Sequence, residues 1–381
     1  MALSSSPTVA LFATEFLPYS QTFIHDELRA HERYTAHVFC KVRKNRERFP
    51  YAAWFAPPSW ATTLYENVAY WPSFDRRIGA GHYDLIHAHF GTGAVYALPY
   101  ALRHDIPLVI TFWGNDVSAL IGSQRYKPTR WRYLAYSTFL FRHAALMLGV
   151  SEELCELLRE LSGRPEAVRY YTHGIDLDRF QPMTNRPRRD VPQVVMVGRF
   201  AEKKGHRYAL QAFDRVVRSG RQAHLTFVGD GTLRAWCERY VRAHDLSDAV
   251  TFAGVLTSEE TAAELARADV ALVPSVVAHN HDREGSPTVA KEASACGVPV
   301  IATWHAGLPE IVGDGETGFL VPERNVPALA DRLATLLDDA ALRQRFGRAA
   351  RAKMERSFDL HTQVQKLERL YDAVRRSPAA P

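Results

Sequence analysis

Two glutamates flank a Gly-Ser-Pro turn in the segment REGSPTVAKEASACG, at residues 283–297. Ser286 is a good N-cap residue and proline is favoured in the first helical turn, so the sequence predicts a helix over residues 287–297. Free amides at a helix start bind phosphate oxygens, and a carboxylate accepts both hydroxyls of a vicinal diol. Glu284 before the helix and Glu292 within it could therefore hold two sugars that flank a phosphate group. A nucleotide sugar has this arrangement.

The simpler alternative makes Glu284 a solvated loop charge and Glu292 an exposed helix residue. Against it, the predicted helix is small and apolar on several sides, so that a charge within it is not readily assigned to the surface. The residues that give the helix this character are Val289, Ala290, Ala293 and Ala295.

A second candidate site supplies cations. The predicted strand QVVMVG runs into RFAEKKG and then into a helix from His206. Arg199 and Lys204 therefore lie in a βα loop at the carboxyl edge of a sheet, where open α/β folds bind ligands. Arginine offers a planar fork to phosphate and lysine a mobile point charge, so the pair suits a diphosphate leaving group. Basic loops are commonly only solvated, and the hypothesis depends on this loop meeting the glutamate-flanked helix.

The elements that position these residues follow an alternating pattern. Short β-branched runs are predicted as strands at 8–13, 36–40, 84–89, 108–112, 146–150, 167–171, 193–197, 224–228, 250–253, 270–273 and 299–302. Amphipathic segments lie between most of them. Ser151 is a predicted cap of a helix ending at Gly163, and Thr257 with Glu260 forms a predicted capping box. This alternation predicts an α/β protein with parallel sheets and helices on both faces.

Residues 181–192, QPMTNRPRRDVP, are rich in proline and arginine and are predicted to form a linker. We therefore expect a Rossmann-like N-terminal domain over residues 1–183 and a Rossmann-like C-terminal domain over residues 190–357. Beyond Glu323 the pattern is all-helical. The last amphipathic segment, residues 358–381, has no strand after it and could pack on either domain.

Composition excludes several classes of protein. A chain of 381 residues with 46% hydrophobic and 23% charged residues is globular and long enough for two domains. A net charge of +5 suits anionic ligands or an anionic membrane surface but is too dispersed for nucleic acid. The four cysteines lie far apart in the sequence, which favours a reducing compartment over a metal site or redox dithiol. We see neither a signal peptide nor a membrane-spanning stretch, and expect a soluble cytoplasmic protein.

Four motifs in order resemble the carboxyl-terminal half of glycosyltransferase family 4, whose members are retaining enzymes of the GT-B fold. They are VGRFAEKKG, VGDG, EGSPTVAKEASACGVPVIAT and HAGLPEIVGDGETGFLVP, and the resemblance is strong over roughly residues 190–325. In the first half, DLIHAHFG, TFWGNDVS and YTHGIDLDRF resemble the subgroup that builds exopolysaccharides and colanic-acid-like polymers. The resemblance implies two facing doubly wound domains, with the acceptor on the first and the donor on the second. It also implies that the last helix crosses back to the first domain.

The resemblance also implies roles for individual residues. Arg199 and Lys204 match the pair that contacts the donor diphosphate, Glu284 the acid that holds the sugar hydroxyls, and Glu292 the acid that holds the ribose. The loop and helix start that face the phosphates match Gly285, Ser286, Thr288 and Val289. Transfer would proceed with retention from a UDP-sugar or GDP-sugar, with UDP favoured, to a glycan, lipid-linked or small-molecule hydroxyl. No metal or resident cofactor is implied.

One departure from the family lies on the acceptor side. Trp113 stands where the family usually has a histidine, with Asn115 and Asp116 close by and His89 or His87 as a substitute. If the family histidine acts through its backbone carbonyl, tryptophan keeps that contact. If the imidazole is needed, the chain is a weak enzyme or a catalytically silent nucleotide-sugar binder. A phosphorylase or epimerase on the same scaffold is the remaining alternative.

Other motifs carry weaker hypotheses. The Asp-x-Asp at residues 176–178 matches a turn of the family's domain-closing loop better than a metal site. His279, His281 and Asp282 are typical of a polar loop, and no metal is predicted there. The GDG at residues 229–231 lacks the third glycine of a dinucleotide fingerprint, so a dehydrogenase is not predicted.

The basic and aromatic stretch RYKPTRWRYLAYSTFLFRH, residues 125–143, has two explanations. It could contact anionic lipid headgroups of the inner membrane surface or a polyprenyl diphosphate acceptor. Alternatively, its apolar members are core with solvated arginines opposite. The residues concerned are Tyr133, Tyr136, Phe139 and Leu140.

Overall fold

A computed structural model of the protein describes residues 6–17, 22–47, 49–121, 131–184 and 189–376. The chain divides into two compact units, Met1–Gly174 with Leu360–Pro381, and Ile175–Asp359. The first unit therefore ends before the predicted boundary at residue 183, and residues 175–183 belong to the second unit. The last helix of the chain belongs to the first unit.

The first unit is built on a parallel sheet of seven strands with the order β3-β2-β1-β4-β5-β6-β7. Its strands are β1 (Thr8–Phe16), β2 (Thr35–Arg43), β3 (Trp54–Phe55), β4 (Leu85–His89), β5 (Leu108–Phe112), β6 (Ala144–Gly149) and β7 (Val168–Tyr170). Every residue of β4 and β5 is buried, as expected for central strands covered on both faces. The strand order reverses between β1 and β4, and candidate acceptor residues lie after β4 and β5.

Helices cover this sheet: α1 (Thr22–Arg29), α2 (Thr62–Val68), α3 (Pro72–Ala80), α4 (Gly91–His104), α5 (Asn115–Ile121), α6 (Trp131–His143) and α7 (Glu152–Ser162). The predicted caps of α7 are confirmed. Ser151 accepts a hydrogen bond from the Leu154 amide, and Gly163 ends the helix with φ +63°.

The second unit has a six-stranded parallel sheet with the order β10-β9-β8-β11-β12-β13. Its strands are β8 (Gln193–Val197), β9 (His224–Val228), β10 (Val250–Gly254), β11 (Val270–Val273), β12 (Val300–Thr303) and β13 (Gly318–Val321). Its helices are α8 (His206–Arg218), α9 (Arg234–Ala243), α10 (Ser258–Arg267), α11 (Thr288–Ala295), α12 (Leu308–Ile311), α13 (Val326–Asp338) and α14 (Ala340–Ser357), and the helix that follows, α15 (Leu360–Arg376), belongs to the first unit. The order reverses between β8 and β11, so the loops that follow these two strands meet at the carboxyl edge.

The α15 helix, which ends the described chain, packs on the first unit through buried polar groups. The Glu368 carboxylate accepts hydrogen bonds from the amides of Glu32 and Arg33, each at 3.0 Å. The Tyr371 hydroxyl lies 2.6 Å from His87 Nδ1. These contacts hold α15 against the segment that leads into β2 and against β4.

In the part of the chain that the structure describes, no helix is long and apolar enough to cross a bilayer.

Candidate functional site

The loops after β8 and β11 form the base of the candidate donor site. The Val276 amide donates to the Lys203 carbonyl at 2.9 Å, so the two backbones are hydrogen-bonded. Gly205, with φ +77°, lies so close that a Cβ there would be 1.8 Å from the Pro274 carbonyl oxygen. Only glycine fits this approach, which fixes the lysines before it against the second loop.

The GDG segment after β9 has a structural role in the same region. Gly229 has φ +127°, and a Cβ there would lie 2.2 Å from the Gly198 carbonyl oxygen. The Phe200 amide also donates to the Asp230 carbonyl at 2.9 Å. These contacts hold the loop that carries Arg199 against the segment after β9. The Arg199 side chain is exposed at the carboxyl edge of the sheet.

Glu284 lies between two ammonium groups. Its Oε2 accepts a hydrogen bond from Lys204 Nζ at 3.0 Å, and its Oε1 is 3.5 Å from Lys203 Nζ. The Glu284 side chain is only 11% exposed. Burial raises the pKa of this carboxyl, but the charges of Lys204 and Lys203 outweigh burial and lower the pKa to about 2. Glu284 is therefore a buried, fully ionised carboxylate and not the solvated loop charge of the alternative explanation.

The buried His305 holds the backbone of Glu284. The Glu284 amide donates to His305 Nε2 at 3.2 Å, and His305 Nδ1 lies 2.7 Å from Glu323 Oε1. An Nε2 that accepts leaves Nδ1–H to donate, so Glu323 sets the tautomer. Glu323 Oε2 also accepts the Val277 amide at 3.0 Å. Burial disfavours the ionised Glu323, but its hydrogen bonds with His305 and Val277 lower its pKa.

Sequence reasoning missed His305, Glu323 and Lys203. The motif HAGLPEIVGDGETGFLVP was recognised, yet no role was given to the histidine that begins it. A histidine followed by Ala-Gly directly after a predicted strand was the available signal. The Gly307 amide, in that same motif, donates to the Gly285 carbonyl at 2.9 Å and so holds the glutamate loop in place.

The predicted bounds of the glutamate-flanked helix, 287–297, are wrong by a short distance at both ends. The α11 helix begins at Thr288, because Pro287 is extended (φ −63°, ψ 109°) and takes the N-cap position itself. Ser286 therefore does not cap the helix, and no side-chain cap hydrogen bond forms. At the other end Cys296 follows the last helical residue, and Gly297 has φ +70°. The first-turn amides, those of Thr288 and Val289 among them, still lack intrahelical acceptors.

Glu292 is partly buried on α11, one turn after Thr288, so the two residues share a helix face. Lys204 and Glu284 are in direct contact, and residues 285–289 follow in the chain. Arg199 lies in the same βα loop as Lys204. The structure thus brings the predicted donor residues of the second unit to one end of its sheet.

The acceptor candidates lie at the carboxyl edge of the first sheet. Trp113 follows β5, and its ring packs against Phe23 at 4.3 Å, His173 at 5.4 Å and His89 at 5.9 Å between ring centres. Asn115 is the first residue of α5 and is partly buried. The tryptophan is therefore part of an aromatic cluster that includes His173, which sequence reasoning left without a role.

Asp116 is buried and its oxygens accept backbone amides. The Gly91 amide donates at 2.9 Å and the Trp113 amide at 3.0 Å. Burial raises the pKa of Asp116, and these amides partly offset that effect. The carboxylate thus ties the turn after β4 to the turn after β5 and orients Trp113.

Within the described residues, Glu27, His87 and His89 are the only group whose potential metal-binding atoms all lie within 4.8 Å of one another. His87 already uses both ring nitrogens, with Tyr371 at 2.6 Å and Thr111 at 2.7 Å. Burial lowers the pKa of His89 to about 3, so this imidazole is neutral. His87 is thus fully hydrogen-bonded, whereas both ring nitrogens of His89 are buried without a hydrogen-bond partner among the described residues, and Nε2 lies 3.6 Å from Glu27 Oε1.

The residues of the weaker motifs make local contacts. Asp176 Oδ1 accepts the amides of Asp178 and Arg179, each at 3.0 Å, which confirms the predicted turn. His279 pairs with Glu202, and Asp282 pairs with Lys203. His281 is exposed and has φ +63°.

The basic and aromatic stretch divides between core and surface. Residues 125–130 lie outside the described residues. In α6, Tyr133 and Leu140 are buried, whereas Tyr136 and Phe139 are 46% and 42% exposed. Trp131 is 64% exposed. The core explanation thus holds for two of the four residues.

Two family models together match most of the chain. The model described as Glycosyl transferases group 1 matches residues 179–353, and that described as Glycosyltransferase Family 4 matches residues 24–179. A putative colanic acid biosynthesis glycosyltransferase of Escherichia coli (strain K12) is 32% identical over 297 residues, covering 76% of this chain and 71% of that protein. The chain belongs to glycosyltransferase family 4. A family 4 chain with two parallel-sheet α/β domains has the GT-B fold, and it is a glycosyltransferase enzyme.

The chain is also similar to a glycogen synthase in sequence and to a solved structure in fold. A glycogen synthase of Mycobacterium tuberculosis (strain ATCC 25618 / H37Rv) is 31% identical over 299 residues, covering 78% of this chain and 70% of that protein. Anabaena HepE, solved in complex with UDP, has a TM-score of 0.77 and 19% identity over 96% of this chain and 100% of that one. At this identity the likeness to HepE shows the fold alone. The first family model covers the donor candidates, and the second covers the acceptor candidates.

Proposed function

We propose that this family 4 glycosyltransferase transfers a sugar from a UDP-sugar to an acceptor hydroxyl, with retention of anomeric configuration, in the synthesis of a polysaccharide. The observation that carries the proposal is the Lys204–Glu284 pair, at 3.0 Å, beside the start of α11. The proposal is supported by a cation for a diphosphate, a carboxylate for sugar hydroxyls and the first turn of a helix for phosphate oxygens, all at the switch point of a parallel sheet.

In this proposal Arg199, Lys204 and the α11 amides bind the donor diphosphate. As the bond between the sugar and the diphosphate breaks, these groups stabilise the negative charge that develops on the departing oxygen. That oxygen takes the proton of the attacking hydroxyl, so no protein nucleophile is required. Glu284 accepts hydrogen bonds from the sugar hydroxyls, and Glu292 accepts those of the ribose.

The relatives support the polysaccharide part of the proposal. The E. coli protein is named for colanic acid biosynthesis, and it is similar over 76% of this chain. HepE was solved with UDP, which supports UDP-sugars as the first donors to test. The first unit is proposed to bind the acceptor, for which its exposed α6 aromatic residues are one candidate surface.

A catalytically silent sugar-nucleotide binder is the second candidate, favoured by one observation. Trp113 lies in the position of the family's histidine, and its ring is packed among Phe23, His89 and His173. The indole ring of tryptophan has no titratable group that could take the place of an imidazole. The backbone of Trp113, however, is held by Asp116, which preserves any function that requires only the main chain.

The test is a donor screen followed by a transfer assay. Purified protein is titrated calorimetrically with UDP-glucose, UDP-galactose, UDP-N-acetylglucosamine and GDP-mannose, and release of nucleoside diphosphate is then followed with and without oligosaccharide or lipid-linked acceptors. We expect one donor to bind and its turnover to rise with an acceptor. Lys204→Met should weaken donor binding by roughly tenfold or more, because a charge-assisted contact is lost.

Arg221→Met is the matched control. Arg221 also pairs with an acid, Asp338 at 2.8 Å, but it precedes β9 and so lies at the opposite, amino edge of the same sheet. Binding with no turnover on any acceptor would favour the silent binder. No binding of any donor would refute both candidates.

A further inference from the structure

Lys203 is a buried lysine that the donor chemistry leaves without a role. Its Nζ lies 3.1 Å from Asp282 Oδ1 and 3.3 Å from the Arg283 carbonyl, and its side chain is 10% exposed. Its own carbonyl accepts the Val276 amide at 2.9 Å. Both the backbone and the ammonium group of Lys203 are therefore held by the loop that leads to Glu284.

The two lysines divide the Glu284 carboxylate between them. Lys204 hydrogen-bonds to Oε2 at 3.0 Å, whereas Lys203 faces Oε1 at 3.5 Å. Oε1 is buried and has no hydrogen-bond donor among the described residues. Lys204 has no other hydrogen-bond partner for its ammonium in the described structure, so it can move to a ligand, whereas the Lys203 ammonium is also held by Asp282 and the Arg283 carbonyl.

The proposed function has Lys204 bind a diphosphate, which takes it away from Glu284. A buried carboxylate that loses its cation is either destabilised by its desolvation or takes up a proton. A protonated Glu284 would still contact a sugar, but one of its oxygens would become an O–H donor and the group would be a weaker acceptor for sugar hydroxyls. The remaining ionisable groups that face Glu284 are Lys203 and His305, the latter already bound to Glu323.

We propose that Lys203 is the counter-ion that stays on Glu284 when Lys204 turns to the donor diphosphate, so that Lys203 is a positioning residue for sugar binding. The inference rests on the proposed function of Lys204 and Glu284. It separates two adjacent lysines by role: one contacts the donor, and the other keeps the acid ionised.

The probe is UDP, with GDP in parallel, titrated calorimetrically at pH 7 in two buffers of different ionisation enthalpy, which measures the protons taken up on binding. For the wild type we expect no proton uptake at Glu284. Lys203→Met should bind UDP at least tenfold more weakly, about 1.4 kcal/mol. Binding should now take up a fraction of a proton, because Lys204 leaves an uncompensated carboxylate.

A second variant separates this role from simple bracing of the loop. With Glu284→Gln there is no charge to compensate, so Lys203→Met/Glu284→Gln should bind UDP within about twofold of Glu284→Gln alone. Arg221→Met is again the matched control and should bind as the wild type does. If Lys203→Met does not fold, the comparison of the double variant with Glu284→Gln carries the test.

Undiminished UDP binding by Lys203→Met overturns the inference, as does a tenfold loss that Glu284→Gln does not rescue, because Lys203 would then act only by holding the loop. If wild-type protein binds neither UDP nor GDP, the proposed function fails and the inference fails with it. If wild-type protein binds and only the Lys203 predictions fail, the proposed function stands.

Discussion

Lys291 is a fully buried lysine of the second unit, and its replacement tests the energetic cost of burying its charge. It lies on α11 with no exposed surface, and its Nζ is 5.2 Å from the centre of the Phe358 ring. Burial lowers the pKa of Lys291 to about 7, against the opposing effect of the Glu310 and Glu292 carboxylates. We predict that Lys291→Met stabilises the protein, and that the gain depends on pH.

The magnitude follows from the pKa. The gap between 10.5 in the unfolded chain and about 7 in the folded protein corresponds to roughly 5 kcal/mol at 1.36 kcal/mol per pKa unit. Because the folded-state pKa of a lysine is lowered, the full cost is present below pH 7, where both states are protonated. Between pH 7 and 10.5 the unfolded chain binds the extra proton, so stability rises by about 1.4 kcal/mol per pH unit.

The assay is urea denaturation of the wild type and Lys291→Met between pH 7 and 9.5. At pH 7 the variant should be more stable by roughly 2–4 kcal/mol, since the loss of the cation–π contact with Phe358 offsets about 1 kcal/mol of the gain. This advantage should shrink by about 1.4 kcal/mol for each pH unit. Lys366→Met, which removes an exposed lysine of α15, should show no such trend.

Parallel stability curves for the wild type and Lys291→Met would refute the reasoning. They would mean that Lys291 remains protonated in the folded state throughout this pH range, and that its contacts with acidic neighbours outweigh burial. A destabilised variant at pH 7 would point to the same conclusion.

Two further predictions concern α15. Tyr371→Phe leaves His87 Nδ1 without its partner at 2.6 Å in a buried setting, and should lower the free energy of unfolding by about 1–3 kcal/mol in thermal denaturation; an unchanged melting temperature would contradict this. Burial disfavours the charge of Glu368, but hydrogen bonds from His31 and two backbone amides lower its pKa to about 2. Its contribution to stability is thus present above pH 4.5 and lost as the pH falls toward 2, so acid unfolding followed by circular dichroism should be less steep for Glu368→Gln. Equal steepness would contradict it.

Much of the fold could be predicted because buried parallel strands have a strong sequence pattern. Each predicted strand is present within a few residues of its expected bounds. The two that were missed are β3, which has only two residues, and β13, which begins with glycine inside a recognised motif. Neither segment has the long β-branched run that the pattern requires.

The meeting of Lys204 and Glu284 could also be predicted, because the carboxyl ends of parallel strands share one edge of the sheet. The exact helix start could not. The residue pair Ser286 and Pro287 fits a cap followed by the first helical residue, yet the extended ψ of Pro287 delays the helix by one position. Proline fixes φ and leaves ψ to the surrounding packing, which the local sequence does not determine.

The roles of adjacent lysines lay beyond sequence reasoning for a similar reason. Lys203 and Lys204 occupy a single turn between Ala201 and Gly205, and only its geometry decides which ammonium is buried. His305 and Glu323 belong to different loops, and their contact depends on the pairing of β12 with β13. Side-chain networks that cross between loops are determined by tertiary structure rather than by spacing.

The ionisable groups at the candidate sites of the two units differ in charge and in contacts, and this difference bears on the mechanism. In the first unit His89 is neutral, and Asp116 is occupied by backbone amides. In the second unit Glu284 is ionised and pairs with Lys204, while the neighbouring Lys203 is also bound to Asp282. In the proposed reaction the departing diphosphate takes the proton of the attacking hydroxyl, and the contribution that we expect from the protein is the charge balance around Glu284.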